Sequence, residues 1–195
     1  MLIKKREDAI HGDLKPENIL IVKDMNGEFS AKVADFGYST LFAADSDTAD
    51  VTLPTSPPWK APEVEWRNPV TFAEAKSADM FSYGLICLWL LSYADMDGKE
   101  AGNLINSMKR DPNLTLLAWG AVSSSSSTAG ETLTMEKNLA LKVFFNASLS
   151  ADPLKRCLLT DNLGRNFDCS GLVRAAPLMC ISFSWNKCWL LIKQP

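Results

Sequence analysis

A mainly α-helical domain with one small β-hairpin is what this sequence predicts. Three stretches carry that expectation. Residues 80–91, MFSYGLICLWLL, are uncharged and apolar, bounded by Asp79 and, a little further on, Asp95. Such a run reads as a helix buried on all sides. Residues 18–34 hold two short strand-like segments around Asn26-Gly27, a pair suited to the positive φ of a tight turn. Residues 136–149 place Leu139, Val143, Phe144 and Ala147 close to one helical face.

The elements follow in chain order. Residues 1–10 alternate charged and apolar positions and are expected to form a helix leading into His11. The hairpin strands are expected at 18–23 and 31–34. Residues 38–60 are rich in Ser, Thr, Asp and Pro and read as a long surface loop. A loop of that length in a compact domain is usually functional. Its Ser46, Thr48 and Thr52 read as solvated hydroxyls. A helical pattern begins near Ala73 and leads into the apolar run. Residues 98–118 follow as weaker helix. The serine run at 123–127 is of low complexity and reads as a flexible linker. Beyond Arg156 the pattern decays, and residues 158–195 form a tail with no clear period. No repeat of 20–50 residues is present.

Composition narrows the function classes. The chain has 195 residues, of which 47% are apolar and 22% charged, as a globular core requires. A formal charge of −3 without a long basic run argues against nucleic acid as a partner. One histidine and five cysteines, none at CxxC spacing, argue against a zinc site or a disulfide framework. The N-terminal MLIKKREDAI lacks the apolar segment of a signal peptide, so an intracellular location, cytoplasmic or nuclear, is expected. The apolar run is shorter than the roughly 20 residues a membrane span needs, so no membrane association is expected. The glycosylation triplets at Asn113 and Asn146 are then chance matches.

Two segments hold the candidate chemistry. In HGDLKPEN, residues 11–18, Lys15 and Asn18 follow Asp13 by two and five positions. Asp35-Phe36-Gly37 comes at the end of the second expected strand. Phosphoryl transfer from a nucleotide needs a carboxylate to orient the attacking hydroxyl and a cation beside the moving phosphate. It also needs oxygen ligands that hold Mg²⁺ against the phosphates. Asp13, Lys15, Asn18 and Asp35 supply those types, and a hairpin between Asn18 and Asp35 brings the two segments side by side.

These segments resemble the protein kinase family. HGDLKPEN is similar to the catalytic loop usually written HRDLKPEN, and ADFG to the metal-binding DFG. Ala61-Pro62-Glu63 resembles the end of the activation segment. SADMFSYG at 77–84 resembles the start of the central helix of the lower lobe, and Asp152 to Arg156 a DPxxR near the domain end. The resemblance covers roughly residues 8–157, so a kinase-like domain is expected over 1–157.

The resemblance implies a role for each matching residue. Asp13 would be the catalytic base and Lys15 the phosphate-neutralising lysine, at a spacing similar to the serine/threonine-directed branch. Asn18 and Asp35 would hold Mg²⁺, with ATP as co-substrate and a protein as acceptor. Leu20 would be an apolar floor beneath the adenine. His11 and Phe36 would pack together structurally, and Glu63 would pair with Arg156. Asp79 would hold the catalytic-loop backbone, a role compatible with capping its helix. Three departures go with the resemblance. Gly12 stands where an arginine that meets a loop phosphate is common, and Trp59 where tyrosine is frequent. None of the ten glycines lies in a GxGxxG pattern. The implied fold is therefore the C-terminal lobe of a kinase with the N-terminal lobe absent. The competing reading is a catalytically inactive kinase-like binding module or a truncated product.

Overall fold

The computed structural model describes residues 7–23, 25–27, 29–43, 49–54, 56–93, 96–128 and 135–156. Ser46, Thr48 and the tail from 158 onward lie outside these. The described elements are three two-stranded antiparallel sheets and a set of helices packed on one central helix.

Strand β1 (Glu7–Ile10) leads into the HGDLKPEN segment, which ends in a 3-10 turn, Pro16–Asn18. Strands β2 (Ile19–Lys23) and β3 (Phe29–Val33) form the hairpin, with Gly27 at φ +85° in its turn. Strand β4 (Thr40–Ala43) then returns to pair with β1, from Glu7 opposite Ala43 to Ile10 opposite Thr40. The helix expected before His11 is thus partly replaced by a strand over its last four residues. Its ladder partner lies some thirty residues further along, where no local pattern reveals it.

The segment 38–60 is also more structured than a surface loop. It contributes β4 and β5 (Asp50–Val51), and it buries Val51, Leu53 and Trp59. Strand β5 pairs with β6 (Val70–Thr71), which follows the short helix α1 (Pro62–Trp66). Thr52 is exposed on this segment.

Helix α2 (Phe72–Ser92) organises the rest. The pattern from Ala73 and the apolar run form one continuous helix. Thr71 and Glu74 start it with a capping box: the Thr71 hydroxyl accepts from the Glu74 N–H, and the Thr71 N–H donates to the Glu74 carboxylate. Such a cap contributes about 1 kcal/mol. Asp79, considered above as a cap, sits two turns inside the helix. Phe72, Phe81, Leu85, Ile86 and Leu88 are all within 1% of complete burial. Close approach of the next layer is set by Gly84, where a Cβ would lie 2.6 Å from the Ser148 hydroxyl oxygen.

Helices α3 (Gly98–Lys109), α4 (Leu114–Thr128) and α5 (Met135–Ser148) surround α2. Asp97 caps α3 by accepting from the Lys99 and Glu100 N–H groups. The serine run belongs to α4, not to a linker. Ser124 donates to the Gly120 carbonyl and Ser123 to the Asn138 side chain, so the helix absorbs residues that favour loops elsewhere. The buried face of α5 is Leu141, Phe144, Phe145 and Ser148, at i, i+3, i+4 and i+7. Leu139 and Val143, expected on that face, are exposed. The stripe facing α2 is rotated relative to the expected one, and only Phe144 belongs to both. Among the described residues no helix is long and apolar enough to cross a membrane.

Candidate active site

The site is assembled around Asp13. Asp13 and Asn18 are both buried, 6% exposed each. The Lys15 ammonium donates to the Asp13 carboxylate at 2.6 Å. The Asn18 amide NH₂ donates to the Asp13 carbonyl at 2.8 Å and approaches its carboxylate at 3.5 Å. Two polar side chains, Lys15 and Asn18, therefore converge on Asp13 within one six-residue segment.

Electrostatics keep that carboxylate ionised. Burial pushes the Asp13 carboxyl up, but hydrogen bonds from Lys15 and Ser56, together with the Lys15 charge, outweigh it. The net result lies below the ordinary aspartate value. Lys15 is shifted upward, chiefly by its hydrogen bond to Asp13 and further by the charges of Asp13, Glu17 and Asp35. Ser56 was not singled out from sequence. The only local signal was its place in the proline-rich segment just ahead of Ala61-Pro62-Glu63.

The hairpin brings Asp35 to the same end of the fold. The Ala34 N–H donates to the Asn18 carbonyl at 2.8 Å, so Asp35 is one residue from the rung that starts at Asn18. Asp35 is exposed and has φ +60°, a left-handed conformation uncommon outside glycine. Its carboxylate accepts from the Gly37 N–H at 3.3 Å, which supports the turn.

The donor set fits Mg²⁺. The ion prefers oxygen and is commonly held by one or two protein carboxylates or amides, with phosphates and water completing its shell. The Asn18 NH₂ is committed to Asp13, which leaves its amide oxygen as the ligand atom it could offer, and Asp35 offers a carboxylate at the same end of the hairpin. Among the described residues there is no cluster of three or more His, Cys, Asp or Glu that would form a complete protein cage.

Beneath this layer lies His11, 2% exposed. Its Nε2 faces the Ala34 carbonyl at 3.0 Å, and its Nδ1 accepts from the Asp13 N–H at 3.3 Å. A carbonyl can only accept, so Nε2 carries the proton. Both ring nitrogens are thus engaged, and the ring meets Phe36 edge-on at 5.3 Å between centroids. Gly12 has φ +84°, and a Cβ there would lie 3.1 Å from the Tyr38 carbonyl oxygen. Glycine is the residue that this backbone accepts without strain.

Asp79 reaches up from α2 and accepts from the N–H groups of His11 and Gly12 at 2.6 and 3.0 Å. Complete burial raises its carboxyl to about 6, against these hydrogen bonds, which lower it. A carboxyl raised from 3.8 contributes stability that is full below about pH 4 and lost as pH rises through about 6. Urea unfolding of the protein and Asp79→Asn between pH 4 and 7 checks this. The advantage of aspartate over asparagine should shrink by about 3 kcal/mol across that window. A pH-independent difference would remove the assignment.

Farther from Asp13, Arg156 and Glu63 form a buried two-pronged pair, at 2.6 and 2.9 Å. Leu20, by contrast, stands on β2 opposite Lys32 with 52% of its surface exposed. Ile21 and Phe29 are similarly exposed, so the hairpin carries an uncovered apolar surface.

The model of the protein kinase domain matches residues 4–167. The chain belongs to the protein kinase family. The serine/threonine-protein kinase CHK1 of Saccharomyces cerevisiae is 32% identical over 117 residues, 57% of this chain and 21% of that protein. The serine/threonine-protein kinase chk1 of Schizosaccharomyces pombe is 38% identical over 82 residues, 42% of this chain and 15% of that protein. The tyrosine-protein kinase SPK-1 of Girardia tigrina is 30% identical over 119 residues, 58% of this chain and 22% of that protein. The chain thus spans about a fifth or less of these relatives' lengths.

Proposed function

We propose that this protein transfers the γ-phosphoryl group of ATP to a serine or threonine hydroxyl of a protein substrate. The described residues then form the C-terminal lobe of the kinase domain. The observation that carries the reading is the Asp13 carboxylate, buried, held below the ordinary aspartate range and paired with the Lys15 ammonium at 2.6 Å. Asp13 orients the acceptor hydroxyl and takes its proton. Lys15, already beside Asp13, meets the charge of the moving phosphoryl group. Asn18 and Asp35 would hold Mg²⁺, which would supply positive charge at the phosphate oxygens. Mixed serine/threonine- and tyrosine-directed relatives leave the acceptor preference to Lys15, which is placed at Asp13.

No GxGxxG pattern occurs in the 195 residues. On this reading the elements that cover the nucleotide are supplied by residues other than the described ones; the second reading is a kinase-like binding module. Calorimetric titration of the purified chain with ATP, with and without Mg²⁺, tests the first. Binding should be weak, near millimolar, as expected of a ligand enclosed on one side only. It should require the metal and disappear in Asp35→Asn. Metal-independent binding would overturn the role of Asp35 and Asn18. Micromolar binding with transfer abolished by Asp13→Ala would overturn the placement of the covering elements outside these residues. Absence of any metal-dependent binding favours the binding module.

A further inference from the structure

A second feature lies one residue beyond Ser56. A cavity of about 630 Å³ opens between the loop at 57–60, α1 and the end of α3. Lys60, Lys109 and Arg110 line it, and Glu65 is the one acidic residue on its described wall. The charges do not cancel. Lys109 and Glu65 satisfy each other at 2.7 Å, and the same ammonium donates to the carbonyls of Pro58 and Lys60 at 2.9 and 2.6 Å. Lys109 is therefore committed to holding the loop and α1 against α3, with only 4% of its side chain exposed. Lys60 and Arg110 remain as a surplus of two positive charges, one half-buried and one exposed. The nearby Asp111 does not offset them, because it is off the cavity wall and its carboxylate accepts from the Asn113 N–H. Trp66, 80% exposed, and Pro57 add apolar surface beside these cations.

The position of this cavity decides what reaches it. Leu53 packs against Gly12, next to Asp13, with its methyl 3.2 Å from where a Cβ on Gly12 would lie, and Pro57, four residues on, is already on the cavity wall. A substrate whose hydroxyl lies at Asp13 and whose chain runs along the 56–60 loop advances about 3.3 Å per residue when extended. It enters the cavity about two to four residues from the acceptor hydroxyl, by the same spacing. We propose that the cavity receives a glutamate or aspartate side chain of the protein substrate at that distance. Lys60 and Arg110 meet its carboxylate, and Trp66 covers its methylene groups. The proposal rests on the phosphoryl-transfer reading and specifies its substrate class.

The test is fluorescence anisotropy of labelled 13-residue peptides on the purified chain at low salt. Each peptide has a central serine in an alanine–glycine background and one glutamate, moved position by position to either side. Matched peptides carry glutamine instead. Glutamate should bind about fivefold to tenfold tighter than glutamine, as two partly exposed ion pairs allow, and only two to four residues from the serine on one side. Raising the salt should erase the difference. Lys60→Gln/Arg110→Gln should also erase it, while circular dichroism and the Lys109-dependent packing stay unchanged. Equal affinity for glutamate and glutamine peptides overturns the proposal. So does a preference that ignores the serine register, or one that survives the double variant. The ATP titration is independent of this readout. Loss of metal-dependent ATP binding with the glutamate preference intact would remove the phosphoryl-transfer reading and leave the acidic-peptide site standing.

Discussion

Replacing Asp13 with alanine should lower kcat for phosphoryl transfer by about a hundredfold to ten-thousandfold in the transfer-competent protein. That corresponds to about 3–5 kcal/mol in the barrier. The carboxylate is ionised, buried and held by Lys15 and Ser56, so it is oriented before a substrate arrives. On the proposed function, alanine removes the group that would orient the hydroxyl and accept its proton. It leaves Asn18 and Asp35 in place, so affinity for Mg-ATP should change little. Initial rates of labelled phosphate transfer to a serine peptide measure the first effect, and nucleotide titration the second. A loss below tenfold would show that Asp13 is not the base. Ser56→Ala, which removes a positioning hydrogen bond only, should cost less than Asp13→Ala.

Arg156→Met should destabilise the fold by about 3–5 kcal/mol, the usual effect of leaving one charge of a buried pair alone. Glu63 is only 8% exposed, so its carboxylate would lose its partner without gaining water. The arginine also donates to the carbonyls of Ser150 and Ser77, at 2.7 and 3.2 Å, and its guanidinium lies 4.6 Å from the Phe81 ring centroid. The Ser150 carbonyl would lose this donor as well, whereas the Ser77 carbonyl keeps its bond within α2. The double variant Glu63→Leu/Arg156→Met should therefore recover part of the loss, because the stranded carboxylate is gone, but not all of it. Urea denaturation of the wild type, both single variants and the double variant yields the coupling. A double variant as unstable as the sum of the singles would mean that the pair acts as two independent anchors.

The two effects belong to one frame. Helix α2 passes beneath both sites. Its Asp79 holds the backbone at His11 and Gly12, while Arg156 ties its Ser77 carbonyl to Glu63 at the start of α1. The loop that carries Ser56 runs directly into α1, and Lys109 clamps the same loop from α3. The HGDLKPEN segment and the loop carrying Ser56 are thus both fastened to the helical core by charge-bearing contacts.

What the sequence determined by itself is local. Asp13, Lys15 and Asn18 lie within six residues, so the distances among them follow from one loop and one 3-10 turn. The hairpin is also local, because Asn26-Gly27 closes it and few residues separate its strands. The apolar run could only be a buried segment, whatever packed around it. The tertiary structure decided everything that depends on a distant partner. Strand β1 forms because β4 arrives beside it, and the serine run is helical because α4 packs on α2 and α5. The buried face of α5 is chosen by the α2 surface, where Gly84 admits Ser148 and Leu149, and this leaves Leu139 and Val143 outside. Ser56 reaches Asp13, and Lys60 and Arg110 share a cavity, only because chain segments about fifty residues apart are brought together. Periodicity reports which residues can share a face, but only the neighbouring element settles which face is buried.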